Sequence, residues 1–426
     1  MKRRTFLKDI CAAGLSAALP VTAIGSLTSC ASQATDSHGF NFDEEVDRLG
    51  THSIKMARGE EMGGNRLGMG IADMDFRMDP AISQALHERI NRDVIGYTRT
   101  PDAYFDAIMQ WQKKVHQWDV PKDWITAIPG VVTSINLVYD VFTQPGDKVI
   151  IQPPVYDPFK EYILDMGRVP VDNPLIYTDG TFHMDLANLE KVMHDEQPKA
   201  MVLCNPHNPG GMCWTRAELE KVAELAKTYG VLVISDEVHG DLAWYDEHPF
   251  IPFLSTSDAA REVGITVTGP TKTFNLAGFT GTAYGIIANP ALKEPFVNFL
   301  KCHKLLEASV PTEICIMSAY TSTTGWYDAM MDYMRGNVEF VMDYFAKEIP
   351  QIKPVRPHAS FLFFLDCRAL NLDADGLKTL FDEKAGLVVS NGINYGPGGE
   401  GFIRMNVGCT RRKLKQALEQ LKGAIG

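Results

Sequence analysis

Between residues 147 and 289 the chain alternates short, strand-like runs with apolar centres and stretches of helical period, and this alternation restricts the fold more than any other feature. "DKVIIQ" (147–152) follows a Pro-Gly turn, and "AMVLCN" (200–205), "VLVIS" (231–235), "ITVTG" (265–269) and "YGIIAN" (284–289) continue the series. Of these, "VLVIS" is apolar on both faces, as buried strands of a parallel sheet are. Thr215-x-x-Glu218 forms a capping box. "RAELEKVAELAKTY" then spaces its apolar residues at helical intervals until Gly230 ends the helix. The pattern predicts an α/β fold with a mainly parallel sheet, whose ligands sit beyond the carboxyl ends of the strands. A chain of 426 residues exceeds one small core, so a large domain with a smaller companion is expected.

Charge and cysteine usage exclude several classes. The net charge of -12 leaves no basic stripe to neutralise phosphates, which argues against a nucleic-acid partner. The eight cysteines include no C-x-x-C pair, which argues against a zinc site, and no metal is expected. Most of the later ones sit in apolar runs such as "MVLCN" and "FFLDCRAL" and read as small buried hydrophobes.

The polar residues at the strand ends carry the chemistry. Lys272, in "TGPTKTFNLAG", is the one formally charged residue between Glu262 and Lys293. A lysine desolvated in such a setting has a lowered pKa and becomes a nucleophile, whereas surface lysines usually have charged neighbours. Asp236 follows "VLVIS" directly; it suits a cationic ring nitrogen or a metal, or more simply a helix N-cap. Asn208 lies in "NPHNPGG", a turn that would fix an amide donor. Gly130 precedes the apolar helix "VVTSINLVYDVF", whose first N–H groups, from Val131 and Val132, form an anion site with a hydroxyl from Thr133 or Ser134. Tyr156, in "QPPVYDPF", is placed to stack on a flat ligand or to pack in the core. Arg404, in "GEGFIRMNVGC", offers a fork for a carboxylate, from a ligand or from a structural ion pair. Together these groups match the needs of pyridoxal phosphate: a lysine for its aldehyde, an acid for its ring nitrogen, N–H donors for its phosphate and an arginine for an amino-acid substrate.

On these residues, residues 40 to 426 resemble the class I/II aminotransferases of fold-type I, and within them the MalY/PatB-type C–S lyases of the cystathionine β-lyase branch. "FDEEVDRLGTHSIK" (42–55), "GIADMDF" (70–76), "IGYT" (95–98), "PGVV", "QPPVYDPF", "NPHNPGG", "SDEVHGD", "TKTFN" and "FLDCRAL" carry the branch-level likeness. The resemblance implies a mainly parallel large domain (81–305) that binds pyridoxal 5'-phosphate. It also implies a smaller α+β domain built from 42–80 and 306–426. By the same resemblance Lys272 holds the cofactor aldehyde as a Schiff base, Asp236 pairs with the ring nitrogen, and Asn208 and His239 contact the ring's phenolic oxygen. Tyr156 stacks on the ring, Thr271 with Val131 and Val132 holds the phosphate, and Arg404 takes the substrate carboxylate. Tyr97 reaches the phosphate of a neighbouring subunit, which implies a homodimer. Two positions depart from typical aminotransferases: Thr280 stands where an arginine contacts phosphate, and Gly269 where many carry serine. The implied reaction is α,β-elimination on an S-linked amino acid; transamination on the same scaffold and a regulatory binding role are the rivals.

The first thirty residues differ from the rest. "MKRRTFLK" is basic and "ICAAGLSAALPVTAIGSLTSC" is uncharged, a signal-peptide layout with a twin-arginine start and a lipobox-like Leu27-Thr28-Ser29-Cys30. The expectation is a leader over 1–29, a lipidated Cys30 and a tether over 31–41. The protein would then be exported and face the periplasm, membrane-bound only through its lipid, with a soluble periplasmic form as the alternative.

Overall fold

The computed structural model describes residues 39–61 and 66–426. The expected leader, Cys30 and most of the tether lie outside the described residues.

A seven-stranded sheet organises the middle of the chain. Its strands are β1 (Ile125–Ile128), β2 (Lys148–Ile151), β3 (Val169–Asp172), β4 (Ala200–Cys204), β5 (Leu232–Asp236), β6 (Gly264–Thr268) and β7 (Ala283–Ile286), in the order β1-β7-β6-β5-β4-β2-β3. The contacts among β2 to β6 are parallel. Every residue of β4, β5 and β6 is buried, including the threonines Thr266 and Thr268 on one face of β6, so neither face of these strands meets solvent. β7 runs antiparallel to both β1 and β6, so "YGIIAN" does not extend the parallel series. A parallel return needs a crossover, usually a helix. Residues 269–282 form turns around Lys272 instead, so the chain folds straight back.

The helix Arg216–Tyr229 forms as its sequence dictates. Thr215 Oγ1 accepts from Glu218 N, Glu218 Oε2 accepts from Thr215 N, and Gly230 closes the helix at φ 69°. Its buried stripe contains Leu219, Val222, Ala223, Leu225 and Ala226. Burying each Leu or Val fully contributes about 1.5–3 kcal/mol.

A second sheet, antiparallel throughout, consists of β8 (Lys353–Pro354), β9 (Leu362–Asp366), β10 (Ser390–Asn391) and β11 (Phe402–Asn406), in the order β8-β9-β11-β10. Arg404 lies in β11, opposite Phe364 on one side and Ser390 on the other. The N-terminal residues Leu67 and Gly68 pair in parallel with Leu387 and Val388, which brings the segment after them beside β11. Among the later cysteines all are buried except Cys302.

Candidate active site

Three adjacent strands deliver the central residues. Cys204 pairs with Asp236 across β4 and β5, and Asp236 pairs with Val267 across β5 and β6. The turn carrying Asn208, the residue Asp236 and the turn carrying Lys272 therefore share one edge of the sheet. This is where an α/β sheet binds ligands.

Asp236 ends its strand and caps no helix; its Oδ1 accepts from Val238 N at 3.2 Å. Burial pushes its carboxyl up to about 6, against the pull of that N–H and of the Lys272 ammonium. Among the described residues no cation lies within ion-pair distance of it. A buried carboxylate without a counter-ion is costly and suits a cationic ligand. Lys272 Nζ donates to the Ala72 carbonyl at 2.8 Å. Burial, reinforced by the Arg404 guanidinium, pushes the ammonium down to about 8, with Asp73 and Asp236 opposing. Its turn is fixed by Phe274 N to Pro270 O, by Leu276 N to Thr271 O, and by Thr273 Oγ1 donating to Asp241 Oδ2 at 3.2 Å.

Arg404 joins this group from the second sheet. Its Nη1 donates to Asn208 Oδ1 at 3.2 Å and its Nη2 to the Gly70 carbonyl at 2.7 Å, and its guanidinium lies 5.1 Å from the Tyr395 ring centroid. Its Nε is buried without a partner, and no carboxylate pairs with it among the described residues, so the structural ion pair is absent. His239 is buried with Nδ1 unpartnered and its ring edge-on to Phe361; burial holds it neutral, well below the usual imidazole range. Half-buried Tyr156 packs edge-on to Phe159 at 5.3 Å. Burial raises its hydroxyl pKa; Tyr162 and Asp236 add to the rise and Arg404 opposes it, so the ring stands among the same charges.

The helix start is nearby in the fold. Gly130 caps the helix Val131–Phe142 at φ 130° with no side-chain cap, which leaves the first N–H groups without intrahelical acceptors. A Cβ at Gly130 would lie 2.6 Å from the Thr280 carbonyl, so the segment that follows Lys272 packs on this helix end. Ser134 Oγ is buried there without a partner. Gly269 has a steric reason: a Cβ would lie 2.5 Å from the Thr282 carbonyl and 2.8 Å from Ala283 Cα. Thr271 sits beside Lys272 on the same turn. Tyr97 is not brought to the cluster; it stands fully exposed in a segment outside any helix or strand.

Sequence reasoning missed the backbone acceptors Gly70 O and Ala72 O and the ring of Tyr395. A carbonyl carries no residue-type signal, and only its place in a quoted motif, "GIADMDF", pointed towards it. The unpartnered atoms Arg404 Nε, His239 Nδ1 and Ser134 Oγ, with Asp236, which has no cation beside it among the described residues, fit a ligand that has a ring cation, a carboxylate and a phosphate.

A mainly parallel sheet with a desolvated lysine and a buried acid at its strand ends, met by a buried arginine from the second sheet, defines a fold-type I pyridoxal-phosphate enzyme. The chain belongs to the aminotransferase class I and II family, whose model matches residues 65–421. It is 38% identical to cystathionine beta-lyase PatB of Bacillus subtilis over 90% of this chain and 100% of that protein. It is 33% identical to protein MalY of Escherichia coli over 91% of this chain and 99% of that one. The solved structure of cystalysin from Treponema denticola, which contains a pyridoxal 5'-phosphate cofactor, superposes with a TM-score of 0.86 at 30% identity over 90% of this chain and 98% of that one. The cofactor is pyridoxal phosphate and the enzyme is of the C–S lyase type.

The expectation of an exported, periplasm-facing lipoprotein is corrected by these matches. About nine-tenths of this chain matches 100% of PatB and 99% of MalY, which are cytoplasmic-type enzymes, and the lipid anchor has no support. No helix among the described residues is long and apolar enough to cross a membrane.

Proposed function

We propose that the enzyme splits S-linked amino acids of the cystathionine kind: R–S–CH2–CH(NH3+)–COO− and water give R–SH, pyruvate and ammonium. The observation that carries this reading is the buried, carboxylate-free guanidinium of Arg404 beside a lysine held near pKa 8. Arg404 binds the substrate α-carboxylate and orients the Cα–H bond. Lys272, partly in its free amine form at neutral pH, takes that proton on Nζ. Pyridoxal phosphate, when bound, supplies the electron sink for the Cα lone pair. Asp236 pairs with the ring nitrogen, which gives its carboxylate the cation it lacks. Arg404 Nη1 occupies Asn208 Oδ1, so the amide is turned with Nδ2 available to the ring's phenolic oxygen. His239, neutral, faces the same region, and Tyr156 stacks on the ring. Val131 N, Val132 N and Thr271 hold the phosphate.

The fully exposed Tyr97 has its use in a second copy of the chain, where it reaches that copy's phosphate; the working form is a homodimer. The sheet of β1 to β7 belongs to a large domain over about 81–305, and the second sheet with the N-terminal segment belongs to the smaller one, boundaries good to about ±2–4 residues. The test is cystathionine supplied with and without a keto acid. Pyruvate released with no acceptor present is the expected result; turnover that requires the acceptor would make the enzyme an aminotransferase. A purified protein with no bound cofactor and no turnover would favour a regulatory binding role.

A further inference from the structure

Two of the stretches that mark the lyase branch, 42–55 and 70–76, meet in the structure. Residues 69–76 form a strap, two of whose carbonyls meet the site: Gly70 O accepts from Arg404 Nη2 and Ala72 O accepts from Lys272 Nζ. The strap is held from several sides. Asn406 Nδ2 donates to Ile71 O and to Asp73 O, both at 2.6 Å, and Asn275 brackets Met74 through its backbone N and O. Its charged anchor is a cluster of two acids and three cations. Lys55, whose side chain is 0% exposed, places Nζ 2.9 Å from Asp73 O and 2.8 Å from Asp75 Oδ1. Arg48 reaches Asp73 at 3.0 Å and Asp75 at 3.1 Å, and Lys413 reaches Asp75 Oδ2 at 2.7 Å. Burial alone would raise the Asp75 carboxyl, but Lys55 and Lys413 hold it down at about 2.

We propose that Lys55, with Arg48 and Lys413, is a positioning residue for catalysis: through Asp73 and Asp75 it locks the strap so that Gly70 O and Ala72 O fix the directions of Arg404 and Lys272. A buried ammonium is expensive to keep unless its geometry matters. Here all of its acceptors belong to the strap, and none belongs to the reacting groups. The proposal rests on the roles given above to Arg404 and Lys272.

The test compares wild-type holoenzyme with Lys55→Met and with Lys413→Met, the latter at a position 17% exposed whose loss leaves the interior packed. Hydrogen exchange of the amides of Met69 and Asp75, which bond Val388 O and Gly408 O, reports the strap. Both variants keep bound cofactor. Strap exchange speeds up about tenfold or more, and the KM for the amino-acid substrate rises about tenfold, with a smaller fall in kcat because Lys272 keeps its place in the chain. Lys413→Met shows the same pattern more weakly and decides the matter if Lys55→Met does not fold. Faster strap exchange with unchanged KM and kcat would overturn the proposal, as would unchanged exchange. A wild-type enzyme that fails to split thioethers would count against the reading of the reaction and not against the strap.

Discussion

Replacing Arg404 with methionine separates substrate binding from cofactor binding. The guanidinium is buried, makes one bond each to Asn208 and Gly70, and keeps Nε without a partner. Methionine fills most of the volume and removes the charge. A charge-assisted hydrogen bond contributes about 1.5–3 kcal/mol, and a carboxylate on the fork makes two, so about 3–6 kcal/mol of recognition is lost. Part of this returns because Asn208 Oδ1 and Gly70 O were the guanidinium's acceptors beforehand. A net loss of about 3–4 kcal/mol corresponds to a drop of about 10²–10³ in kcat/KM. Pyruvate release from cystathionine, followed across substrate concentration, gives that ratio. Visible absorbance checks that the cofactor stays bound, since Lys272 and Asp236 are untouched. A kcat/KM within about fivefold of wild type, less than about 1 kcal/mol, would refute the assignment of the carboxylate to Arg404.

The remaining predictions follow from burial and sterics. In cofactor-free protein the Asp236 carboxyl is held up at about 6, above its unfolded value, so the folded state holds the proton more tightly and loses stability as pH rises from about 4 to 6. Asp236→Asn removes that penalty: the cofactor-free variant is more stable at pH 7 by on the order of 2–3 kcal/mol, read from denaturant midpoints, and its holoenzyme is nearly inactive. Equal or lower stability at pH 7 would mean that the carboxylate has a counter-ion in solution. Gly269→Ser, the residue common in aminotransferases, forces a Cβ against the Thr282 and Ala283 backbone and destabilises by about 1–3 kcal/mol. A neutral result there would show that β6 and β7 yield locally.

Much of the fold was legible because burial on both faces writes itself into strands β4 and β5 as nearly unbroken apolar runs and into β6 as β-branched residues at both parities. The capping box at Thr215 and the stop at Gly230 were legible because caps depend on residue type at fixed offsets. Asp236 stood out as an acid closing an apolar run, Asn208 as an amide in an Asn-Pro turn, and Lys272 as the one charged residue between Glu262 and Lys293. What stayed hidden is non-local or lacks a side chain. The antiparallel turn of β7 depends on how 269–282 is used, which no periodicity records. Gly70 O and Ala72 O are backbone atoms. The Lys413–Asp75 pair spans 338 positions, so neither residue signals the other. Tyr97 is fully exposed in one chain, and the role proposed for it lies in a second copy.

The central claim is the covalent bond between the Lys272 Nζ and the cofactor. Borohydride reduction of the purified holoenzyme, proteolysis and mass spectrometry locate that bond directly. The peptide containing Lys272 is predicted to carry the reduced cofactor's mass, and Lys272→Ala is predicted to carry none on any lysine and to release no pyruvate. Cofactor mass on a different lysine, or steady pyruvate release by Lys272→Ala, would contradict the account.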